Sequence, residues 1–139
     1  MKTRSKTRQE SRAATTGTHW LIEMYDVSHL DDVALIRRAL RQAVAASGAS
    51  LIRLQLHHFG LNRGVTGVAL LAESHLSIHT WPERRYAALD IFMCGVCSPQ
   101  KALDALKQAL QPGDVSVRRI ARGLKSRALA PSKIDRRYQ

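Results

Sequence analysis

The residues with the greatest chemical potential lie between positions 73 and 97. Ser74 is followed by His75 and His79, and Cys94 and Cys97 form a Cys-x2-Cys pair. A hydroxyl, an imidazole and a thiol can act as nucleophile, general base and proton donor, and imidazole and thiolate also bind zinc. This segment is therefore where covalent catalysis or metal binding is expected.

Three less specific interpretations compete with catalysis. The side chains of His75, His79, Cys94 and Cys97 match the ligand types of tetrahedral zinc, although this order and spacing is not a strong zinc signature. A redox pair is possible, but no strand, Cys-x2-Cys and helix are predicted ahead of a parallel βαβ unit. Most commonly, such histidines are satisfied polar residues and such cysteines are small core residues.

Period-two alternation and turn residues predict the elements that position these side chains. Strands are expected at residues 19–26, 51–57, 65–72, 76–81, 86–93 and 115–120. One helix is expected between a cap at Asp31 or Asp32 and Gly48, and another begins at Ser98 and Pro99. Apolar residues recur at helical spacing on one face of each helix: Val33, Ile36, Leu40 and Val44 in the first, and Leu103, Leu106 and Leu110 in the second.

Helices with one apolar face each must pack on the same core as the strands. The pattern predicts an α+β two-layer sandwich, with a mainly antiparallel sheet and two helices on one face. The other face of the sheet would be uncovered in a chain this small. A second copy of the chain or a ligand is expected to cover it.

Two sequence blocks carry a resemblance to a known family. The block 73–83, ESHLSIHTWPE, and the block 86–95, YAALDIFMCG, resemble the prokaryotic short-chain S-adenosylmethionine decarboxylase proenzymes. The similarity runs from about His19 to about Leu110 and covers most of the predicted fold. It implies an α+β sandwich that forms a homodimer.

The resemblance implies a cofactor made from the chain itself. Ser74 would attack the carbonyl of Glu73, and elimination across the resulting ester would leave a pyruvoyl group derived from Ser74, release ammonia and separate residues 1–73 from residues 74–139. Decarboxylating an amino acid needs an electron sink that unmodified side chains lack. The pyruvoyl ketone would form a Schiff base with the substrate amine, and the product would be the aminopropyl donor for spermidine synthesis.

The same resemblance implies roles for individual side chains. His79 would remove the α-proton of Ser74 during processing, and Cys94 would protonate the decarboxylated carbon. Thr66 stands where the family usually has a serine that assists processing, so a hydroxyl is retained. Cys97 has no implied role and is interpreted as structural.

Substrate recognition is assigned by the resemblance to three further residues. Phe59 would stack on adenine, and Trp81 and Glu83 would line the pocket, with Glu83 accepting hydrogen bonds from the ribose. Arginine or ornithine decarboxylation on the same scaffold remains an alternative, because the processing residues do not select the amine. A second alternative is a non-enzymatic domain that binds zinc or polyanions; in the favoured interpretation no metal is expected.

Composition and charge limit the domain organisation, partners and location of the protein. The 139 residues carry a formal charge of +11, which suggests a nucleic-acid partner. However, residues 1–16 have five basic and one acidic residue, residues 118–139 have eight and one, and the remainder is neutral. We therefore expect a domain at 17–122 between basic tails at 1–16 and 123–139, with at most weak polyanion binding by the tails. The lack of a long apolar run predicts a cytoplasmic protein without a membrane partner.

Overall fold

A computed structural model describes residues 16–123 of the chain. It contains six strands, two α-helices and one short 3-10 helix. In chain order these are β1 (Gly17–Tyr25), α1 (Val33–Ser47), β2 (Leu51–His58), β3 (Val65–Leu71), β4 (Ser74–Trp81), the 3-10 helix Pro82–Arg84, β5 (Tyr86–Cys94), α2 (Pro99–Leu110) and β6 (Asp114–Arg122). Every predicted element is present, and β1, β4 and β6 begin earlier than expected.

The six strands form one sheet in the order β2-β3-β4-β5-β1-β6. Every neighbouring pair is antiparallel. The two helices pack against each other and share one hydrophobic core with the sheet. The predicted two-layer α+β sandwich is confirmed.

Strand β4 shows how alternation divides the sheet into two faces. Leu76 and Ile78 are fully buried on the helix side, and His75 and His79 point away from the helices. A strand alternates with period two, so residue 80 continues the core face and Trp81 lies on the open face, 38% exposed.

Local capping places both helices where their apolar faces meet the core. The carboxylate of Asp32 accepts a hydrogen bond from the amide of Leu35 at 3.0 Å, and Gly48, with φ of 81°, ends α1. The hydroxyl of Ser98 accepts from the amide of Lys101 at the start of α2. Each such N-cap contributes about 1 kcal/mol to stability.

Within residues 16–123, no element covers the face of the sheet opposite the helices. This face exposes apolar residues of β3, among them Val68 and Leu70. No helix within residues 16–123 is long and apolar enough to cross a membrane. Apart from Thr16 and Gly123, the basic tails lie outside the described residues, so their weak polyanion binding stays a prediction. The cytoplasmic location also stays a prediction.

Candidate active site

Three of the predicted site residues meet at the turn between β3 and β4. Glu73 occupies this turn, Ser74 begins β4, and Cys94 ends the neighbouring β5. The sulfur of Cys94 lies 3.4 Å from the carbonyl oxygen of Glu73 and 3.7 Å from the hydroxyl oxygen of Ser74. We call these three residues the serine cluster. A nucleophile, the carbonyl that precedes it and a weak donor are thus in contact.

The backbone at the serine cluster is strained. Glu73 has φ of 62°, in the left-handed region that residues with a side chain rarely adopt. Such a conformation costs about 1 to 3 kcal/mol and persists only where the surroundings impose it. Here the paired strands impose it, because Leu71 and Ser74 are held opposite each other in the ladder.

The other predicted site residues lie together in an open cleft of about 580 Å³. Strands β3 and β4, the loop between β2 and β3, and the 3-10 helix form its walls. It is lined by Phe59, Thr66, His79, Trp81 and Glu83, which were predicted, and by Asn62, Arg63, Gly64 and Thr80, which were not. Its volume is typical of small-molecule sites.

Within this cleft, Thr66 orients the imidazole of His79. Thr66 and His79 face each other across β3 and β4, and the threonine hydroxyl lies 3.1 Å from Nδ1 of the imidazole. If Nδ1–H donates to the hydroxyl, Nε2 keeps its lone pair and can accept a proton. The pair therefore has the arrangement of an oriented general base.

Buried contacts beneath the cleft hold its walls together. The hydroxyl of Thr80 accepts from the amide of Val65 at 2.8 Å and donates to the carbonyl of Leu30 at 2.7 Å. A Cβ at Gly64 would overlap the carbonyl oxygen of Thr80, so this wall requires glycine. The side chain of Thr80 thus joins three segments at a single buried atom.

Aromatic stacking fixes the outer wall of the cleft. The ring of Trp81 stacks on the ring of Tyr86 with centroids 5.3 Å apart. The ring of Tyr25 also stacks on Tyr86, with centroids 5.4 Å apart. The Tyr86 hydroxyl donates to the carboxylate of Glu23, which raises the pKa of Tyr86 to about 12. Trp81 is therefore a pre-positioned aromatic surface.

The structure does not bring Ser74 and His79 of one chain together. They are five residues apart on the extended β4, which corresponds to about 16 Å along the strand. Alternation also directs their side chains to opposite faces, with Ser74 buried and His79 exposed. The serine cluster and the cleft are consequently two separate halves of the predicted site.

A polar cluster absent from the sequence prediction lies on the open face. Nε2 of His19 and Nε2 of His75 lie 2.6 and 2.8 Å from the same carboxylate oxygen of Asp90, and Ser77 donates to its other oxygen. Partial burial raises the pKa of the Asp90 carboxyl, but the hydrogen bonds from Ser77, His75 and His19 outweigh burial and hold the pKa below its usual value. Asp90 is therefore the charged centre of this cluster.

The hydrogen bonds of the Asp90 cluster disfavour a metal ion. His19, His75 and Asp90 form the group of ligand atoms within 4.8 Å that residues 16–123 contain. Arg122 lies 3.2 Å from Nδ1 of His19 and can only donate, so the ring proton sits on Nε2, the atom that a metal would need. A metal on Nε2 would move the ring proton of His19 to Nδ1. The N–H at Nδ1 would then face the N–H of Arg122, and two donors cannot form a hydrogen bond with each other.

The alternative zinc site is not assembled either. His75 and His79 share a face of β4, as expected, but four residues of extended chain separate them by about 13 Å. In the structure the two imidazoles have different partners, Asp90 for His75 and Thr66 for His79, so they do not converge on one ion. The cysteines instead lie at and beyond the end of β5.

Sequence reasoning missed His19 and Asp90 and did not join His75 to them, although a partial signal was present. Alternation alone would have placed His19, His75 and Asp90 on the polar face of their strands. Their convergence depends on register, because His75 and His19 both pair with Phe92, from opposite sides of β5. Strand order is not readable from spacing.

Comparison with known proteins gives a consistent result. A family model described as "S-adenosylmethionine decarboxylase" matches residues 18–123. The S-adenosylmethionine decarboxylase proenzyme of Thermomicrobium roseum is 40% identical over 109 residues, covering 78% of this chain and 94% of the relative. That of Prochlorococcus marinus is 50% identical over 97 residues, covering 68% and 77%.

A solved structure agrees with these sequence relatives. The crystal structure of the adenosylmethionine decarboxylase from Aquifex aeolicus superposes with a TM-score of 0.74 at 34% identity. The alignment covers 84% of this chain and 98% of that one. Fold, site and relatives lead to one conclusion. The chain belongs to the S-adenosylmethionine decarboxylase family.

Proposed function

We propose that this chain cuts itself between Glu73 and Ser74 and then decarboxylates S-adenosylmethionine, yielding the aminopropyl donor for spermidine synthesis. The observation that carries the proposal is the contact of Ser74 with Cys94 beside the Glu73 carbonyl, in a chain that belongs to this family. Residues 1–73 and 74–139 would be the two products.

The first step uses only groups of the serine cluster. The hydroxyl oxygen of Ser74 bonds to the carbonyl carbon of Glu73, the peptide C–N bond breaks, and the Ser74 nitrogen becomes an amine. The Cys94 thiol is placed to donate to the Glu73 carbonyl oxygen, where negative charge develops during the attack. Cys94 would thereby assist the acyl shift.

Backbone strain at Glu73 supplies part of the driving force for this step. Leaving the left-handed conformation as the peptide breaks releases the strain of about 1 to 3 kcal/mol. Glycine adopts this conformation freely, so Glu73→Gly should slow self-cleavage by about 5- to 150-fold. The matched control Glu73→Ala removes the same side chain but keeps the strain, and should cleave like the wild type.

The rate of self-cleavage in this pair can be followed by intact mass from the moment of refolding. Equal rates for Glu73→Gly and Glu73→Ala would show that strain does not contribute. A slow Glu73→Ala variant would instead assign a role to the carboxylate.

The residues around Ser74 fit a pyruvoyl group. Such a group supplies the electron sink for decarboxylation that no unmodified side chain offers. Ser74 is 8% exposed, so the new end of the chain would be shielded from bulk water. The thiol of Cys94, next to Ser74, is placed to hold the proton that the decarboxylated carbon must receive.

A homodimer would join the two halves of the site. His79 cannot reach Ser74 of its own chain, yet elimination from the Ser74 ester needs a base at its α-carbon. A twofold pairing through the open faces would set the cleft of one chain over the end of β4 and β5 in the other, where Cys94 lies on the open face beside Ser74, and twice over by symmetry. The exposed Val68 and Leu70 give that face an apolar contact surface.

The cleft suits an adenosyl substrate. Phe59 and Trp81 offer aromatic faces to an adenine ring and to a sulfonium cation. Glu83, in the first turn of the 3-10 helix, offers a carboxylate to ribose hydroxyls. A small basic amino acid would use neither, so the arginine and ornithine alternatives gain no support from the cleft.

Glu83→Gln should weaken substrate use without affecting processing. A charged hydrogen bond contributes about 1.5 to 3 kcal/mol, so kcat/KM for S-adenosylmethionine should fall about 10- to 150-fold. The control Arg84→Gln alters a neighbouring exposed residue that does not line the cleft, and should keep the wild-type value. An unchanged kcat/KM in Glu83→Gln would remove Glu83 from the binding site.

The proposed activity is tested by two measurements on one preparation. Intact mass should show two fragments, with the second blocked at residue 74 by a pyruvoyl group. Carbon dioxide should be released from S-adenosylmethionine far faster than from arginine or ornithine at equal concentration. Faster release from arginine or ornithine would leave the proposed self-cleavage unaffected and would show that S-adenosylmethionine is not the preferred substrate.

A further inference from the structure

Cys94 and Cys97 span the junction between β5 and α2. Cys94 is the last residue of β5, a turn at Gly95 and Val96 follows, and α2 begins two residues after Cys97. The first and fourth Cα atoms of a tight turn lie within about 7 Å. Cysteines joined by a disulfide usually have Cα atoms about 4.4 to 6.8 Å apart. A turn of this kind therefore allows a Cα separation that a disulfide can span.

The turn between the cysteines is open to solvent. Both thiols are free and partly exposed, and the side chain of Val96 is fully exposed. Gly95 adopts φ of 64°, and a Cβ built on it would meet nothing within 4 Å. A small disulfide reagent can therefore reach the pair, and the turn has room to adjust its conformation.

The two thiols differ in their neighbours. The sulfur of Cys94 contacts Ser74 and the Glu73 carbonyl, whereas Cys97 packs against the hydrophobic core. A chemical change at the Cys94 sulfur therefore alters the proposed reaction centre, and Cys97 is not part of that centre. Cys97 is thus available to act as a resolving partner.

We propose that Cys94 and Cys97 form a reversible disulfide that withdraws the Cys94 thiol from the active site. Each thiol gives up one proton and one electron as the S–S bond forms, and a small-molecule disulfide accepts both electrons and both protons as its own S–S bond breaks. Disulfides inside cells are typically of this transient, redox-sensing kind. The loss of activity on oxidation rests on the function proposed above; the disulfide itself does not.

The test uses the purified, self-cleaved enzyme in buffers of reduced and oxidised glutathione, whose potential lies in the range of transient disulfides. Free thiols are alkylated and counted by mass, and decarboxylation is measured on the same samples. The count should fall from two to zero as the buffer becomes oxidising, the fragment should become two hydrogens lighter, and turnover should fall in proportion. Reduced glutathione should restore all three.

Cys97→Ala is the matched control, with Cys97→Ser as a second variant should alanine disturb packing. In these variants the remaining Cys94 can form only a mixed disulfide, which adds the mass of glutathione. They should therefore never become two hydrogens lighter, and they should keep full activity in every buffer in which no glutathione is attached. Two free thiols in the wild type under the most oxidising buffer would overturn the proposal. So would a disulfide enzyme with undiminished turnover. An enzyme inactive even when reduced would refute the proposed function, and the thiol count would still decide on the disulfide.

Discussion

Replacing Ser74 by alanine should leave the chain intact at 139 residues and abolish decarboxylation. Without the hydroxyl no ester forms, so neither chain cleavage nor a ketone can follow. Turnover should fall to the uncatalysed level, a loss of at least about 10⁶-fold. Because Ser74 is buried and alanine is smaller, the fold should tolerate the change.

The Ser74→Ala result is measured by intact mass and by carbon dioxide release. Ser50→Ala changes an exposed loop serine and should cleave and turn over normally. If Ser74→Ala still yielded two fragments, the bond assigned to self-cleavage would be wrong. If it released carbon dioxide while intact, the activity would not depend on a group made from Ser74.

His79→Ala should block processing when produced alone and regain it in a mixed dimer. Alone, the variant should stall at the Ser74 ester, because the acyl shift precedes removal of the α-proton, and hydroxylamine should then cut it between Glu73 and Ser74. When produced with a Ser74→Ala chain, one of the two shared sites contains both a native Ser74 and a native His79. The His79→Ala chain should therefore be cleaved in that mixture.

Two chains of different length distinguish the partners by mass. The control replaces the Ser74→Ala partner chain by a partner that carries both substitutions, Ser74→Ala and His79→Ala. The His79→Ala chain should then stay uncleaved. Cleavage of the His79→Ala chain with both partner chains, or with neither, would contradict a site shared between subunits. The separation of about 16 Å along β4 makes the mixed-dimer outcome the expected one.

Much of the fold could be predicted from the sequence because its signals are local. Alternation in the strands, the caps Asp32 and Ser98, and the stop at Gly48 each act within a few residues, and all correspond to observed boundaries. The contents of the cleft were also predictable in part. Phe59, Thr66, His79, Trp81 and Glu83 were assigned by the family resemblance and do line one cleft.

Only the tertiary structure could decide which of these residues meet. The order of strands places β4 between β3 and β5, so Thr66 contacts His79 and Cys94 contacts Ser74, whereas Ser74 and His79 remain apart on one extended strand. The same order brings His19 and His75 to Asp90 from opposite sides of β5. The sequence determined which residues could do chemistry and which elements carry them. Which of these residues contact one another depends on the pairing of strands that are distant in the chain, and this pairing cannot be predicted from the spacing of residues along the chain.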